Sequence, residues 1–296
     1  MMARDGGVEA EVAVDAHAQL GEGPVWDEAS GQLVWVDIMA CRVHRFTPDA
    51  EADESADVGQ PVGAVAARTT PGLVLAMRDG FGVLDTDTGD VQMIAGAEAH
   101  VKGNRMNDGK CDSAGRFWAG TMAFNQSPAA GALYRLERDH SVAKMIQGVS
   151  ISNGLCWSAD DRSMYYIDSP TQGVDVFDFD AASGGLSNRR RVIDIPKEAG
   201  LPDGMTIDEQ GFLWVALYGG GAVRRYSPEG ELDLTIELPA AQITSCTFGG
   251  NDFRDLYITS AAQELSEEAL AAQPHAGALF VCRPGPAGLP ANPYAG

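Results

Sequence analysis

The sequence predicts an all-β protein, specifically a six-bladed β-propeller with four-stranded blades whose ring is closed by the N-terminal strand. Three observations carry this. Long helical periodicity is scarce. Short β-type runs alternate with Gly, Asp, Asn and Pro clusters. Two strand-like segments also recur six times, at roughly the 40–50-residue period of propeller blades.

One recurring segment reads "LVWVDI" (33–38), "LVLAMRD" (73–79), "RFWAGTM" (116–122), "SMYYID" (163–168), "FLWVALY" (212–218) and "DLYITS" (255–260). The other follows each copy as a strand ending in a turn. Its copies are "CRVHRFTPD" (41–49), "GVLDTDTGD" (82–90), "GALYRLERD" (131–139), "GVDVFDFDAASG" (173–184), "GAVRRYSPEG" (221–230) and "GALFVCRPG" (277–285). A fourth strand is legible in "VQMIAG", "SVAKMIQG", "RRRVIDIP" and "ELDLTIELP". The last repeat is expected to lack one because the chain ends. The run "VEAEVAVDA" (8–16) can supply it, pairing the two ends of the chain and removing an exposed sheet edge. The expectation is one domain over 1–296, with 1–7 as a flexible tail. The one convincing helix is "SEEALAAQ" (266–273), with Ser266 placed to cap it. Trp26, Trp35, Trp118, Trp157 and Trp214 recur at matching repeat positions and are assigned to packing between blades.

Composition narrows the function. A formal net charge of −21 leaves no basic surface for nucleic acid and disfavours anionic membranes. The five cysteines are scattered without a C-x-x-C, which suggests reduced thiols and neither a disulfide framework nor a thiolate zinc site. The N-terminal segment lacks the apolar core of a signal peptide and no run approaches a membrane span. A cytoplasmic protein, as a monomer or weak homo-oligomer, is the expectation. The five histidines form no metal or triad pattern, and no G-x-S-x-G elbow occurs.

The candidate site comes from the innermost strand of each repeat. "LPDGMTI" carries Asp203 between a proline and a glycine, ordinary turn chemistry when taken alone. The like places in other repeats read "GEGPVW", "MNDGKC" and "SNGLCW", so Glu22, Asn107, Asn153 and Asp203 correspond, each beside or near a glycine. Innermost strands line the central channel of a propeller, so four oxygen-bearing side chains converge on one funnel. Clustering them costs desolvation unless something satisfies them, and a divalent cation does so. Oxygen donors alone suit Ca²⁺ or Mg²⁺, with Zn²⁺ second because it prefers His or Cys. Asp108, beside Gly109, reads equally well as a functional acid or a turn residue.

At these residues the chain resembles the SMP-30/gluconolactonase/luciferin-regenerating enzyme family. The matching pieces are "LGEGPVW", "NRMNDGKCDSAGRFWAGTM", "SNGLCWSADDRSMYYIDS", "LPDGMTIDEQGFLWVALYGGG" and "LSEEALAAQPHAGALF", spread over nearly the whole chain. The resemblance implies one divalent metal and hydrolysis of a sugar lactone. It makes Glu22, Asn153 and Asp203 the metal ligands, Asp203 also the general base, and Arg105 and Asn107 substrate contacts. Where many family members carry an acidic residue shortly after "GTM", this chain has Phe124 and Asn125. Asn125 is assigned to a substrate hydroxyl, and the departure bears on which sugar is taken. Two other functions fit the same fold: a non-catalytic calcium-binding or interaction propeller, and a metal-dependent esterase or phosphotriesterase.

Overall fold

The computed structural model describes residues 7–296. Of the expected N-terminal tail, residues 1–6 lie outside the described residues, and Gly7 is exposed. The chain forms six four-stranded antiparallel sheets. Their innermost strands are Gly21–Asp27, Val62–Ala67, Asn104–Cys111, Ser152–Trp157, Leu201–Ile207 and Ile243–Gly249. We number the blades 1 to 6 in that order. Each innermost strand packs against the next, and that of blade 6 returns to that of blade 1, closing the ring.

Closure follows the sequence expectation. The strand Glu11–Val14 pairs antiparallel with Leu279–Cys282 as the outermost strand of blade 6, so the two ends of the chain share one sheet. As expected, blade 6 has no fourth strand of its own, but not because the chain ends there. Fourteen further residues run on from Cys282 across the lower ends of the blades. Glu209 N–H donates to the Ala287 carbonyl at 2.8 Å, Tyr294 N–H to Ala67 at 2.8 Å and Ala295 N–H to Gly115 at 2.9 Å. Tyr294 is wholly buried and its hydroxyl donates to the Glu137 carbonyl at 2.7 Å. The segment straps blade 5 to blades 2 and 3.

The core divides as the repeat dictates. A strand buries its alternate side chains, and a sheet flanked on both faces by other sheets buries both sets. Buried apolar residues accordingly fall into six clusters, one at each junction between adjacent blades. Trp26 and Trp35 fill the junction of blades 6 and 1, Trp118 and Trp157 that of blades 3 and 4, and Trp214 that of blades 5 and 6. Some tryptophans also carry a polar staple. Trp118 Nε1 donates to Asp112 at 2.8 Å, and the same carboxylate oxygen accepts Arg116 Nε at 2.6 Å. In blade 5 Asp208 takes Trp214 Nε1 at 2.9 Å and Arg225 Nε at 2.8 Å. The short helix Glu267–Ala272 begins as expected, with Ser266 Oγ accepting from Ala269 N–H at 3.1 Å.

One irregularity prepares the site. The pairing register of every innermost strand shifts once, between Glu22 and Val25, Val62 and Ala64, Met106 and Gly109, Ser152 and Leu155, Pro202 and Met205, and Ile243 and Ser245. A bulge of this kind inserts an unpaired residue and re-aims its side chain. Asn107, Asn153 and Asp203 each occupy the first bulged place, and Glu22 stands one residue before its own bulge.

Candidate active site

Glu22, Arg105, Asn107, Asn153 and Asp203 from blades 1, 3, 4 and 5 meet in one funnel at the upper end of the channel, the last three from bulged places. Each side chain belongs to a buried residue, yet the funnel opens to solvent and has a cavity of about 90 Å³ at its base. Leu20, Met122, Ile151 and Leu201 supply apolar wall above the polar base.

A chain of amides fixes the base. Arg105 Nη1 donates to Asn107 Oδ1 at 2.6 Å and to the Met106 carbonyl at 3.0 Å. With its oxygen occupied by Arg105, Asn107 donates through Nδ2 to Asn153 Oδ1 at 3.0 Å and to the Ser152 carbonyl at 2.7 Å. Asn153 in turn donates through Nδ2 to Ser169 Oγ at 2.8 Å. Both its amide edges are thereby committed, and its carbonyl keeps one lone pair for a ligand.

The carboxylates lack such partners. Glu22 accepts from the N–H of its own neighbour Gly23 at 2.7 Å. Asp203 Oδ1 is buried with no hydrogen-bond partner. Burial, with the Asp108 charge adding to it, pushes the Glu22 carboxyl up to about 8. Burial and then the Glu22 charge hold Asp203 well above the usual carboxylate range. Burial likewise raises Asp108, which Lys110 opposes. Arg105 is pulled down to about 10 by burial, against the pull of Glu22 and Asp203, and stays charged at neutral pH. Two acids and an amide carbonyl thus meet around a space where negative charge is undercompensated, which is the condition a cation relieves.

The donor set fits a hard divalent cation. No group of three or more His, Cys, Asp and Glu side chains is arranged to hold a metal among the described residues. What is present instead is two carboxylates and one amide carbonyl, all oxygen, with an orphaned carboxylate oxygen among them. Calcium-type sites use such mixed ligands and complete their shell with water.

Asn125 is not brought to the funnel. It is exposed, and its Oδ1 accepts from Ser127 N–H at 3.2 Å and Ser127 Oγ at 2.8 Å, closing a local turn. Its neighbour Gln126 lines the funnel instead. A short polar side chain in a turn satisfies itself on the backbone ahead, which takes it out of reach of a ligand. Asp108 is no turn residue. It lies buried within the innermost strand of blade 3, with Oδ1 accepting from Gly109 N–H at 2.7 Å. Tyr218, Gln263 and Glu264 complete the rim and went unrecognised in the sequence. All three stand at or just beyond the end of a second strand. Listing the polar residues that end or follow each "RFWAGTM"-like run would have found them, because those ends open on the same face.

Residues 20–262 match the family model for the SMP-30/Gluconolactonase/LRE-like region. The chain belongs to this family. It is 42% identical over 296 residues to regucalcin of Oryctolagus cuniculus, covering 98% of this chain and 99% of the relative. It is 39% identical over 290 residues to "Putative sugar lactone lactonase YvrE" of Bacillus subtilis (strain 168), again covering 98% and 99%. Among solved structures, the calcium-binding protein regucalcin from Agrobacterium tumefaciens superposes with a TM-score of 0.94 at 30% identity, covering 97% of each chain. Membership in the SMP-30/gluconolactonase/LRE-like family agrees with the six-bladed architecture and with the long reach of the sequence motifs.

Proposed function

We propose that this protein hydrolyses a sugar lactone to the corresponding aldonic acid, with one divalent cation held by Glu22, Asn153 and Asp203. The observation that carries the reading is the orphaned, buried Asp203 oxygen in a solvent-open funnel whose guanidinium and amides are already held by one another. Full-length similarity to a relative named as a sugar lactone lactonase supports the substrate class. Similarity to a calcium-binding regucalcin supports a divalent cation, and calcium is favoured by the all-oxygen donors. Zn²⁺ and Mg²⁺ are the alternatives to be compared with it. No described helix is long and apolar enough to cross a membrane, and a cytoplasmic location remains part of this proposal.

When bound, the cation supplies Lewis-acid polarisation of the lactone carbonyl. Asp203 accepts a proton from the attacking water at a carboxylate oxygen as that water bonds to the carbonyl carbon. The ring C–O bond then breaks and the departing ring oxygen takes up a proton, leaving the hydroxy acid. Arg105, anchored through Nη1, places positive charge beside the oxygen on which negative charge develops. Asn107 connects the two functions, because it holds both Arg105 and Asn153. The apolar wall of Leu20, Met122, Ile151 and Leu201 limits bulk water around the reacting atoms.

The test is acid release from a panel of hexose- and pentose-derived aldonolactones in a pH-stat, with native, chelated and metal-restored protein. Turnover lost on chelation, restored by a divalent cation and reduced at least about 100-fold in Asp203→Asn supports the reading. Rates equal to those of Asp203→Asn across the panel, with metal bound, overturn it in favour of a structural cation. Turnover of phosphotriesters but not lactones would assign the same site to a different ester.

A further inference from the structure

The funnel mouth is crossed by a hydrogen bond between opposite blades. Gln126 lies in the loop after the second strand of blade 3, and Glu264 in the loop after the second strand of blade 6. These blades face each other across the ring. Gln126 Nε2 donates to Glu264 Oε1 at 3.2 Å, and the Tyr218 hydroxyl of blade 5 donates to Glu264 Oε2 at 3.0 Å. Gln263 Nε2 backs Tyr218 at 3.4 Å. All four residues line the funnel.

Three features set Glu264 apart. It is the acidic side chain of the rim, whereas the other two funnel-lining carboxylates, Glu22 and Asp203, sit at the base. Among the described residues no Lys, Arg or His is paired with it, so its charge is met by neutral donors alone. Both bonds are loose: the Tyr218 hydroxyl stands at 3.0 Å, where a hydroxyl donor to a carboxylate ordinarily comes to roughly 2.5–2.7 Å, and the Gln126 amide at 3.2 Å lies at the far end of the N–H···O range. A better-placed hydroxyl can therefore displace Gln126 at little cost.

We propose that Glu264 is a specificity-determining residue that accepts hydrogen bonds from hydroxyl groups on the part of a sugar lactone projecting from its ring. The inference rests on the lactonase reading above. In the free protein Gln126 occupies the position of the substrate hydroxyl. On binding, the hydroxyl donates to Glu264 Oε1, Gln126 swings to solvent, and Tyr218 keeps the carboxylate in place. The recognised class is a polyhydroxylated lactone, as opposed to an unsubstituted cyclic ester of the same ring size.

The experiment compares kcat/KM for glucono-1,5-lactone and for δ-valerolactone in wild type, Glu264→Gln and Gln126→Ala, with metal saturating and folding checked by thermal melting. Glu264→Gln is expected to lower the ratio of the two kcat/KM values about tenfold, mainly through KM for the hydroxylated substrate. Gln126→Ala is expected to move the same ratio the other way, by about two- to threefold, since no latch then has to be displaced. A ratio unchanged in Glu264→Gln while wild type turns over both lactones overturns the role of Glu264 and leaves the lactonase reading standing. Failure of wild type to hydrolyse either lactone overturns that reading, and this inference with it.

Discussion

Asn107 donates to Asn153 across the boundary of blades 3 and 4, from Nδ2 to Oδ1 at 3.0 Å, while its own Oδ1 is held by Arg105 at 2.6 Å. The pair fixes which atom of Asn153 faces the funnel. Ser169 secures the other edge of the same amide by accepting from Nδ2 at 2.8 Å. In the proposed cation site a freely flipping Asn153 amide could turn N–H₂ towards the ion, so these two contacts would support its affinity without touching the ion.

Replacing either support should therefore weaken cation binding while leaving the propeller intact. Asn107→Ala and Ser169→Ala are each expected to raise the Ca²⁺ dissociation constant about tenfold or more, as loss of supporting partners commonly does. Isothermal titration with Ca²⁺ measures this directly. Equal constants in wild type and both variants would show that the amide is oriented by something else.

The buried acids give a pH dependence of definite sign. Glu22 is pushed up to about 8 and Asp203 is raised as well, chiefly by burial. For a carboxyl raised on folding, the contribution to stability is fully present below its unfolded value near 4.5 and is lost as pH rises through about 8. The metal-free protein is thus expected to melt at least about 5 °C lower at pH 8 than at pH 5.5. Saturating Ca²⁺, which binds the ionised forms, should shrink or reverse that difference. Calorimetric melts at the two pH values, with and without chelator, provide the check. A metal-free melting temperature that climbs between pH 5.5 and 8 would contradict the assignment of burial as the dominant cause.

Most of the architecture was legible because a propeller writes itself six times. The Gly-led and Trp-bearing runs repeat, so each strand is read several times over, and the N-terminal closure follows from the missing partner of Leu279–Cys282. Glu22, Asn107, Asn153 and Asp203 were legible for the same reason, since they ride on the repeated strand, whereas Arg105 came only from the family resemblance of "NRMND". Legibility fails where the repeat stops. Asn125 and Gln126 lie in a loop whose conformation is set by the Ser127 contacts and by Glu264, 138 residues further along the chain. The strap after Cys282 has no repeat counterpart, and its hydrogen bonds go to blades remote in sequence. Long-range contacts of that kind leave no periodic trace.

The staple in blade 3 tests how far stability and chemistry are separable. Asp112 is wholly buried and serves Arg116 Nε at 2.6 Å and Trp118 Nε1 at 2.8 Å, far down the blade from the funnel. Asp112→Ala leaves a guanidinium without its charge partner in a residue only 5% exposed. Breaking one side of such a pair costs about 3–5 kcal/mol. Urea unfolding should show that loss, while the Ca²⁺ dissociation constant of the folded variant stays within about twofold of wild type. A loss under about 1 kcal/mol would mean that Arg116 finds another acceptor; its Nη2 already donates to the Ala181 carbonyl at 2.8 Å.

Gly154 shows how the ring itself positions Asp203, the proposed base. A Cβ added there would lie 2.7 Å from the Asp203 carbonyl oxygen and 2.8 Å from Met205 N, both backbone atoms of the neighbouring innermost strand. Neither can rotate away, so Gly154→Ala must push blade 5 outward and carry Asp203 with it. Overpacking of this kind costs about 1–3 kcal/mol. A displacement of about 1 Å at a reacting group can lower turnover about 100-fold. Gly103→Ala is the matched control, because its added Cβ meets nothing within 4 Å and its φ lies outside the left-handed region. The expected outcome is a lower melting temperature and greatly reduced lactone turnover in Gly154→Ala, with both near wild type in Gly103→Ala. Full turnover in a destabilised Gly154→Ala would mean that the bulge holds Asp203 independently of its neighbour, and that blade spacing has no part in placing the base.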